Sequence, residues 1–444
     1  MCAMIVMKFG GSSVADRGQI EKVLEIVRSR LPNEPVVVSS AHKGITDALI
    51  QTAKRAAQGE NPGSEVIDRQ AQIAAELDCS PTLLEPIFQE LRDLLRGIQL
   101  VRELSRRSLD YVSSFGERMS VRVIADFFTR QGLPARAYDA WELGFITDDA
   151  FNKARPVPDY KERMRAAFDT LPRDVVPIVT GFIGKNKKGE VTTLGRNGSD
   201  LTATLIGAAI GAAEVQIWSD TDGVMTADPR IVKNAKSIPC MAFDEAAELA
   251  YFGSRVLHPA TLVPAMENDI AVRVLNTNRP DHRGTVITDS PPPKSEIFTS
   301  IAYKENQAIC TITEPNMFEQ VGFLAKVFTV FATHGVVIDL VATSEVSVSV
   351  STHDINALRS AVPELSRFGK VEIHGGKTIL AVVGRQILDT PGIGARVLKS
   401  MSDASVNIEM HSFAMKSNNI SLVIDDTHVK RAVASLHAAL FEET

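Results

Sequence analysis

Three consecutive prolines, Pro291, Pro292 and Pro293, cut the chain into two stretches that follow different rules. Each proline fixes φ and removes a backbone donor, so no helix or central strand runs through the triplet, and it reads as a linker. Before it, from Met4 to about Asp289, short β-branched runs alternate with longer helical ones. That is the pattern of an α/β domain on a mainly parallel sheet. Residues 5–8, 36–39, 175–180, 215–218 and 271–275 read as strands, and 16–30, 46–58, 83–108, 117–131, 200–212 and 244–253 as helices. After the prolines the chain repeats itself with a period of roughly 70 residues. Residues 308–313 match 379–383 as a strand, 322–334 match 394–403 as a helix, and the strand pair 336–342 and 346–351 matches 406–413 and 420–425. Second helices follow at 354–365 and 428–441. Each copy reads βαββα, with 371–374 as the last strand of the first copy and the segment before Ala308 as a candidate last strand of the second. Two copies of a small α+β sandwich are expected.

The 444 residues exceed what one core organises, and about 100–200 residues per domain predicts two or three domains. Hydrophobic content of 44% with 23% charged residues excludes a disordered or membrane chain. A net charge of -6 without a Lys/Arg cluster excludes electrostatic binding of nucleic acid. Cys2, Cys79, Cys240 and Cys310 are scattered, so neither a zinc site nor a disulfide framework is expected. The apolar start, 1–7, lacks a basic flank, and no run of about 18 apolar residues exists to enter a bilayer. A cytoplasmic chain with no membrane partner follows.

Several segments carry chemistry. Lys8-Phe9-Gly10-Gly11-Ser12-Ser13 joins the first strand to a helix, where paired glycines let backbone approach a phosphate and helix N–H groups point at it. The same turn serves equally as a plain connection. No GxxxxGK[ST] is present, and the only GxG, Gly392-Ile393-Gly394, lies in the C-terminal repeat, which disfavours a P-loop kinase and a dinucleotide-binding dehydrogenase. In Thr192 to Asp200 a glycine-flanked arginine, Arg196, stands beside Ser199 and Asp200 at a helix start. Arg196 can grip a carboxylate with two parallel bonds, while the bland alternative makes Ser199 or Asp200 an N-cap. The loop from Trp218 to Arg230 follows a strand and is rich in hydroxyls and carboxylates, as ligand loops of parallel sheets are. Glu117, in Ser113-Ser114-Phe115-Gly116-Glu117-Arg118, is expected at a helix start, where the dipole favours a carboxylate. The singled-out histidines His42 and His258 show no metal-ligand spacing and read as structural.

Together these segments, with Ser40 to Thr46 and Phe252 to Pro259, occur in the order of the signature set of the aspartokinases, and the chain resembles that family over almost its whole length. The resemblance implies the amino acid kinase fold followed by tandem ACT domains. Expected boundaries are 1–290 for the kinase domain, 291–300 for a linker and 301–444 for the ACT pair, with the first unit (313–376) inserted in the second (301–312 plus 377–444). It implies transfer of phosphate from MgATP to the β-carboxylate of L-aspartate, the first step towards lysine, threonine and methionine. That nucleophile, with an unperturbed pKa of about 3.9, needs no general base but does need charge compensation. By resemblance Lys8, Gly10 and Gly11 face the transferring phosphoryl group. Arg196 takes the substrate α-carboxylate, Glu117 its ammonium, and Ser40, Thr46 and Ser199 donate hydroxyls. Asp200 orients Lys8 or the phosphates, and Ser219, Asp220, Met225, Arg230 and Arg255 hold ATP. Two of these depart from the pattern: Met225 replaces a usual tyrosine and Arg255 a usual lysine, which puts nucleotide affinity in question.

The ACT pair implies an amino-acid effector, with lysine first. Its expected contacts are Met317, Gln320, Gly322, Phe323, Leu324, Ile338 and Asp339, the last countering an ammonium. Gln320 and Val337 stand where serines often line a lysine pocket, so threonine, another metabolite or no effector stays open, as does a module that only joins subunits. ACT pairing implies a homodimer or homotetramer. The rival readings are another acyl-phosphate-forming kinase of the same fold and a non-catalytic amino-acid sensor.

Overall fold

The computed structural model describes residues 4–253, 257–292, 296–317, 320–387, 389–414 and 417–442. The chain divides into two compact units. Met1–Val224, Pro239–Phe243 and Val256–Pro291 form the first, and Met225–Ile238, Asp244–Arg255 and Pro292–Thr444 the second.

The strands of the first unit are β1 (Ile5–Phe9), β2 (Pro35–Ser39), β3 (Ala135–Tyr138), β4 (Ile146–Thr147), β5 (Val176–Thr180), β6 (Ile183–Asn186), β7 (Val191–Thr193), β8 (Glu214–Ser219), β9 (Cys240–Ala242), β10 (Ala271–Asn276) and β11 (Thr285–Thr288). Its helices are α1 (Arg17–Ser29), α2 (Ile45–Ala57), α3 (Glu65–Glu76), α4 (Glu85–Val101), α5 (Arg106–Arg130), α6 (Tyr160–Phe168), α7 (Gly198–Ile210) and, after α8 (Phe243–Tyr251), α9 (Pro259–Met266). From Asp244 onward α8 belongs to the second unit. The main sheet runs β3-β5-β2-β1-β8-β10-β11-β9, parallel except between β10 and β11, and β4-β6-β7 form a small second sheet. β1 and β2 are buried at every residue, as befits strands covered on both faces. Phe9 lies beside Ser39 and Trp218, and Ser39 beside Thr180, so these strands end level. The segments that follow them leave from one edge, where parallel sheets bind ligands.

Two helix expectations need correction. The run 83–108 is not one helix: α4 stops where Arg102 adopts a left-handed φ of 54°, and α5 starts at Arg106, capped by the Ser105 hydroxyl. That helix then continues unbroken through Glu117, which sits mid-helix and gains nothing from a helix-start dipole. Gly116 serves close packing, since a Cβ there would stand 2.7 Å from that of Ala41.

In the second unit β12 (Ser300–Thr313), β13 (Val341–Thr343), β14 (Ser347–Thr352), β15 (Lys370–Val383), β16 (Met410–Ser412) and β17 (Asn419–Asp425) form one antiparallel sheet in the order β13-β14-β12-β15-β17-β16. Helices α10 (Phe323–Thr333), α11 (Ile355–Leu365), α12 (Ile393–Asp403) and α13 (Val429–His437) complete two βαββα copies. The long strands β12 and β15 serve both copies: Ser300–Lys304 pairs with the end of β15, and beyond an irregularity at Gln307 the later residues pair with its beginning. One core gathers around Val327, Phe331 and Leu358, the other around Val397, Leu422 and Val433. Ala227 and Val232 pack into the latter, and Thr226 is hydrogen-bonded at 2.9 Å to the buried His437 imidazole.

Candidate active site

A cavity of about 690 Å³ in the first unit is lined by Lys8, Ser40, Thr46, Glu117, Arg196, Ser199 and Asp200. Lys8 is buried near the end of β1, its ammonium 2.5 Å from the Asp200 carboxylate. Asp200 stands in the first turn of α7, where the helix dipole favours an anion. The Gly10 amide donates to the Trp218 carbonyl at 3.2 Å, so it closes the turn and is not available to a phosphate. What Gly10 supplies is room: a Cβ there would come within 3.4 Å of Lys8 Nζ. At Gly11 a Cβ would press on the Ala41 carbonyl at 3.0 Å, so the turn lies tight against the loop after β2.

Glu117 is 3% exposed. One of its oxygens accepts the Ala41 amide at 3.2 Å, and the other has no hydrogen-bond partner among the described residues. Burial pushes its carboxyl up to about 8, against the pull of that amide and of Lys8. A half-free buried carboxylate suits an ammonium. His42, also on the cavity wall, is buried with Nδ1 3.2 Å from the Gln70 amide nitrogen, and burial lowers it to about 4, a neutral imidazole. His258 caps α9, its Nδ1 accepting the Ala260 amide at 3.2 Å.

The loop carrying Arg196 runs between β7 and α7, with Gly195 at φ 81° and Asn197 at φ 55°. Arg196 is exposed on the cavity rim. The loop is held from α5 by Asp110, which accepts the Thr193 amide at 2.9 Å and its hydroxyl at 2.8 Å, the Asn152 amide at 2.9 Å and the Asn152 side-chain amide. Burial raises the Asp110 carboxyl despite these donors. Sequence reading passed over Asp110 and Asn152, and the available signal was the seven-residue spacing of Asp110 and Glu117 in one helix.

Ser219 ends β8 and Asp220 follows it, with the Ser219 hydroxyl 3.1 Å from that of Thr221. Met225 and Arg230 belong to the second unit. There the Met225 carbonyl accepts the Ser300 hydroxyl at 2.7 Å, and Arg230 forks Asp228 with Nε at 3.0 and 3.1 Å. Tyr303 donates to the same carboxylate at 2.8 Å, and Asp228, paired foremost with Arg230, is lowered to about 2. Arg255 lies outside the described residues.

In the first βαββα copy Met317, Phe323 and Ile338 pack into one core, Gln320 and Leu324 are exposed, and Gly322 caps α10 at φ 81°. Phe318 and Glu319 of that loop lie outside the described residues. The Asp339 carboxylate, 1% exposed, is held by Lys304 Nζ at 2.9 Å from both oxygens and by the Tyr251 hydroxyl at 2.8 Å.

Residues 3–276 match the amino acid kinase family, and residues 380–440 match the ACT domain. Aspartokinase 1, chloroplastic, of Arabidopsis thaliana is 40% identical, over 98% of this chain and 80% of its own. The crystal structure of Escherichia coli aspartokinase III with aspartate and ADP (R-state) superposes with a TM-score of 0.84 at 34% identity, covering 99% of this chain and 100% of the other. The same enzyme with lysine and aspartate (T-state) gives 0.78 at 33% identity, covering 99% of each. Among the described residues no helix is long and apolar enough to cross a membrane. The chain belongs to the aspartokinase family: it is an aspartate kinase built on the amino acid kinase fold, with C-terminal ACT structure.

Proposed function

We propose that the cavity of the first unit binds L-aspartate between Glu117 and Arg196 and presents its β-carboxylate to the γ-phosphoryl group of ATP beside Lys8. The observation that carries this reading is the meeting, in one cavity, of an anchored ammonium, a buried carboxylate with one open oxygen and an exposed guanidinium. A carboxylate oxygen bonds to the γ-phosphorus as the bond to the bridging oxygen breaks, giving 4-phospho-L-aspartate and ADP. No proton moves in that step. Lys8 compensates the charge gathered there, and Asp200 keeps its ammonium aimed. Ser40, Thr46 and Ser199 supply hydroxyls around the substrate, and Gly11, Ser219 and Asp220 serve the nucleotide. Mg²⁺ suits one carboxylate plus phosphate oxygens, which Asp200 can provide, and when bound it neutralises phosphate charge.

L-Lysine is the effector we infer for the first ACT copy, through Met317, Gln320, Gly322, Phe323, Leu324, Ile338 and Asp339, and the T-state of the E. coli relative, which contains lysine and aspartate, supports this. We likewise infer a homodimer or homotetramer in the cytoplasm, with the kinase domain ending near 290 and the ACT pair beginning near 301. Hydroxylamine trapping with MgATP tests the reaction. Aspartyl hydroxamate from aspartate and none from glutamate is the expected result, and no product from aspartate in folded protein that binds ATP would remove the reading.

A further inference from the structure

Helix α5 brings two buried carboxylates to the cavity, Asp110 at 1% and Glu117 at 3% exposure. Seven residues apart, they lie two turns along one face, about 10 Å apart along the axis. Glu117 keeps an oxygen open, whereas Asp110 is fully engaged by Thr193 and Asn152. Thr193 ends β7, just before Gly195 and Arg196. Asn152 also presses on the loop: a Cβ at Gly195 would meet the Asn152 carbonyl at 2.9 Å. Asn152 holds a left-handed φ of 67°, uncommon for a residue with a side chain and kept by its surroundings, whereas Gly195 adopts φ 81° without steric cost. One carboxylate thus fixes Thr193, which leads into the loop on which Arg196 rides, and Asn152, which packs against that loop at Gly195.

We propose that Asp110 is a positioning residue for the amino-acid substrate, acting through Thr193 and Asn152 to fix Arg196 relative to Glu117, so that α5 sets the geometry gripping the substrate's α-carboxylate and ammonium. This rests on the roles proposed above for Arg196 and Glu117. Its consequence is specificity. With the head group pinned, aspartate and glutamate offer their side-chain carboxylates to Lys8 at depths that differ by one methylene. A loosened loop lets the longer amino acid settle back, and the distinction shrinks.

Asp110→Asn keeps the volume but puts an amide where four donors converge. Steady-state kinetics with aspartate, glutamate and MgATP are compared for wild type, Asp110→Asn, Arg196→Lys and the double variant. Asp110→Asn is expected to raise KM for aspartate about tenfold or more and leave KM for MgATP within about twofold. The aspartate-to-glutamate ratio of kcat/KM falls, and the substitution adds nothing in the Arg196→Lys background. Equal rises in both KM values, an unchanged ratio or full additivity would reduce Asp110 to a structural role and overturn the proposal. An Arg196→Lys variant with unchanged KM for aspartate would instead remove the reading of Arg196, and the proposal with it. Should Asp110→Asn not fold, Thr193→Val deletes only the 2.8 Å hydroxyl bond. It is expected to move KM and ratio the same way by a few-fold, and no movement would overturn the proposal.

Discussion

Glu117 titrates near 8 in the unliganded cavity, so at neutral pH it holds a proton that an arriving ammonium must displace. KM for aspartate, measured at saturating MgATP, is therefore expected to fall as pH rises and to level off above about 8. Stability runs the other way. Its unfolded counterpart titrates near 4.5, so between there and about 8 the folded chain binds the extra proton and loses stability as pH rises. Glu117→Gln is expected to abolish that slope, melting above wild type at alkaline pH by thermal denaturation, while kcat/KM for aspartate drops about a hundredfold or more. His42 has the opposite sign: lowered from 6.5 to about 4, it withdraws stability as pH falls through that window, and His42→Asn is expected to flatten the acid limb of a Tm-against-pH curve.

At the scale of elements, α5 is held against the loop after β2 by the absence of one side chain. Gly116→Ala would drive a methyl to 2.7 Å from the Ala41 Cβ and is expected to destabilise by about 1–3 kcal/mol, and to raise KM for aspartate because Ala41 donates to Glu117. Adding Ala41→Gly is expected to restore both, read by Tm and kinetics. The same residue shows why sequence reading went astray here. Ser113, Ser114 and Gly116 look like a polar break, yet they are buried within a continuous helix, and polarity misleads where neighbours press close. Strand ends were legible because β-branched runs stop abruptly at Lys8-Phe9-Gly10-Gly11 and at Ser39-Ser40, and eight of the expected site residues line one cavity. Asp110 was not, because only an unbroken α5 puts it on the face of Glu117. Helix α3 escaped because 65–76 mixes charge with a thin apolar stripe, Val66, Ile67, Ile73 and Ala74. The repeat read well, since each half keeps its βαββα order, but the fusion of its long strands into one sheet was beyond a pattern of periods.

For the molecule as a whole, the Lys304–Asp339 pair bears on how an effector is read. Lys304→Met would leave the buried Asp339 with only the Tyr251 hydroxyl and, at 3.7 Å, the His353 imidazole among its described partners, a loss of about 3–5 kcal/mol for a broken buried pair. The variant is expected to melt lower, and L-lysine to raise its Tm by more than it raises that of wild type, because the effector's ammonium finds a vacant carboxylate; a thermal-shift titration decides it. The way the two units are threaded has a different consequence, for inheritance. Residues 225–238 come early in the chain but pack with the C-terminal half of the second unit, Thr226 against His437 and Ala227 in the core of the second copy. A chimera joined at the prolines would therefore set one parent's 225–238 against another parent's α13. Regulatory halves of this chain do not recombine as cassettes, and a change on either side of that seam selects for its match on the other.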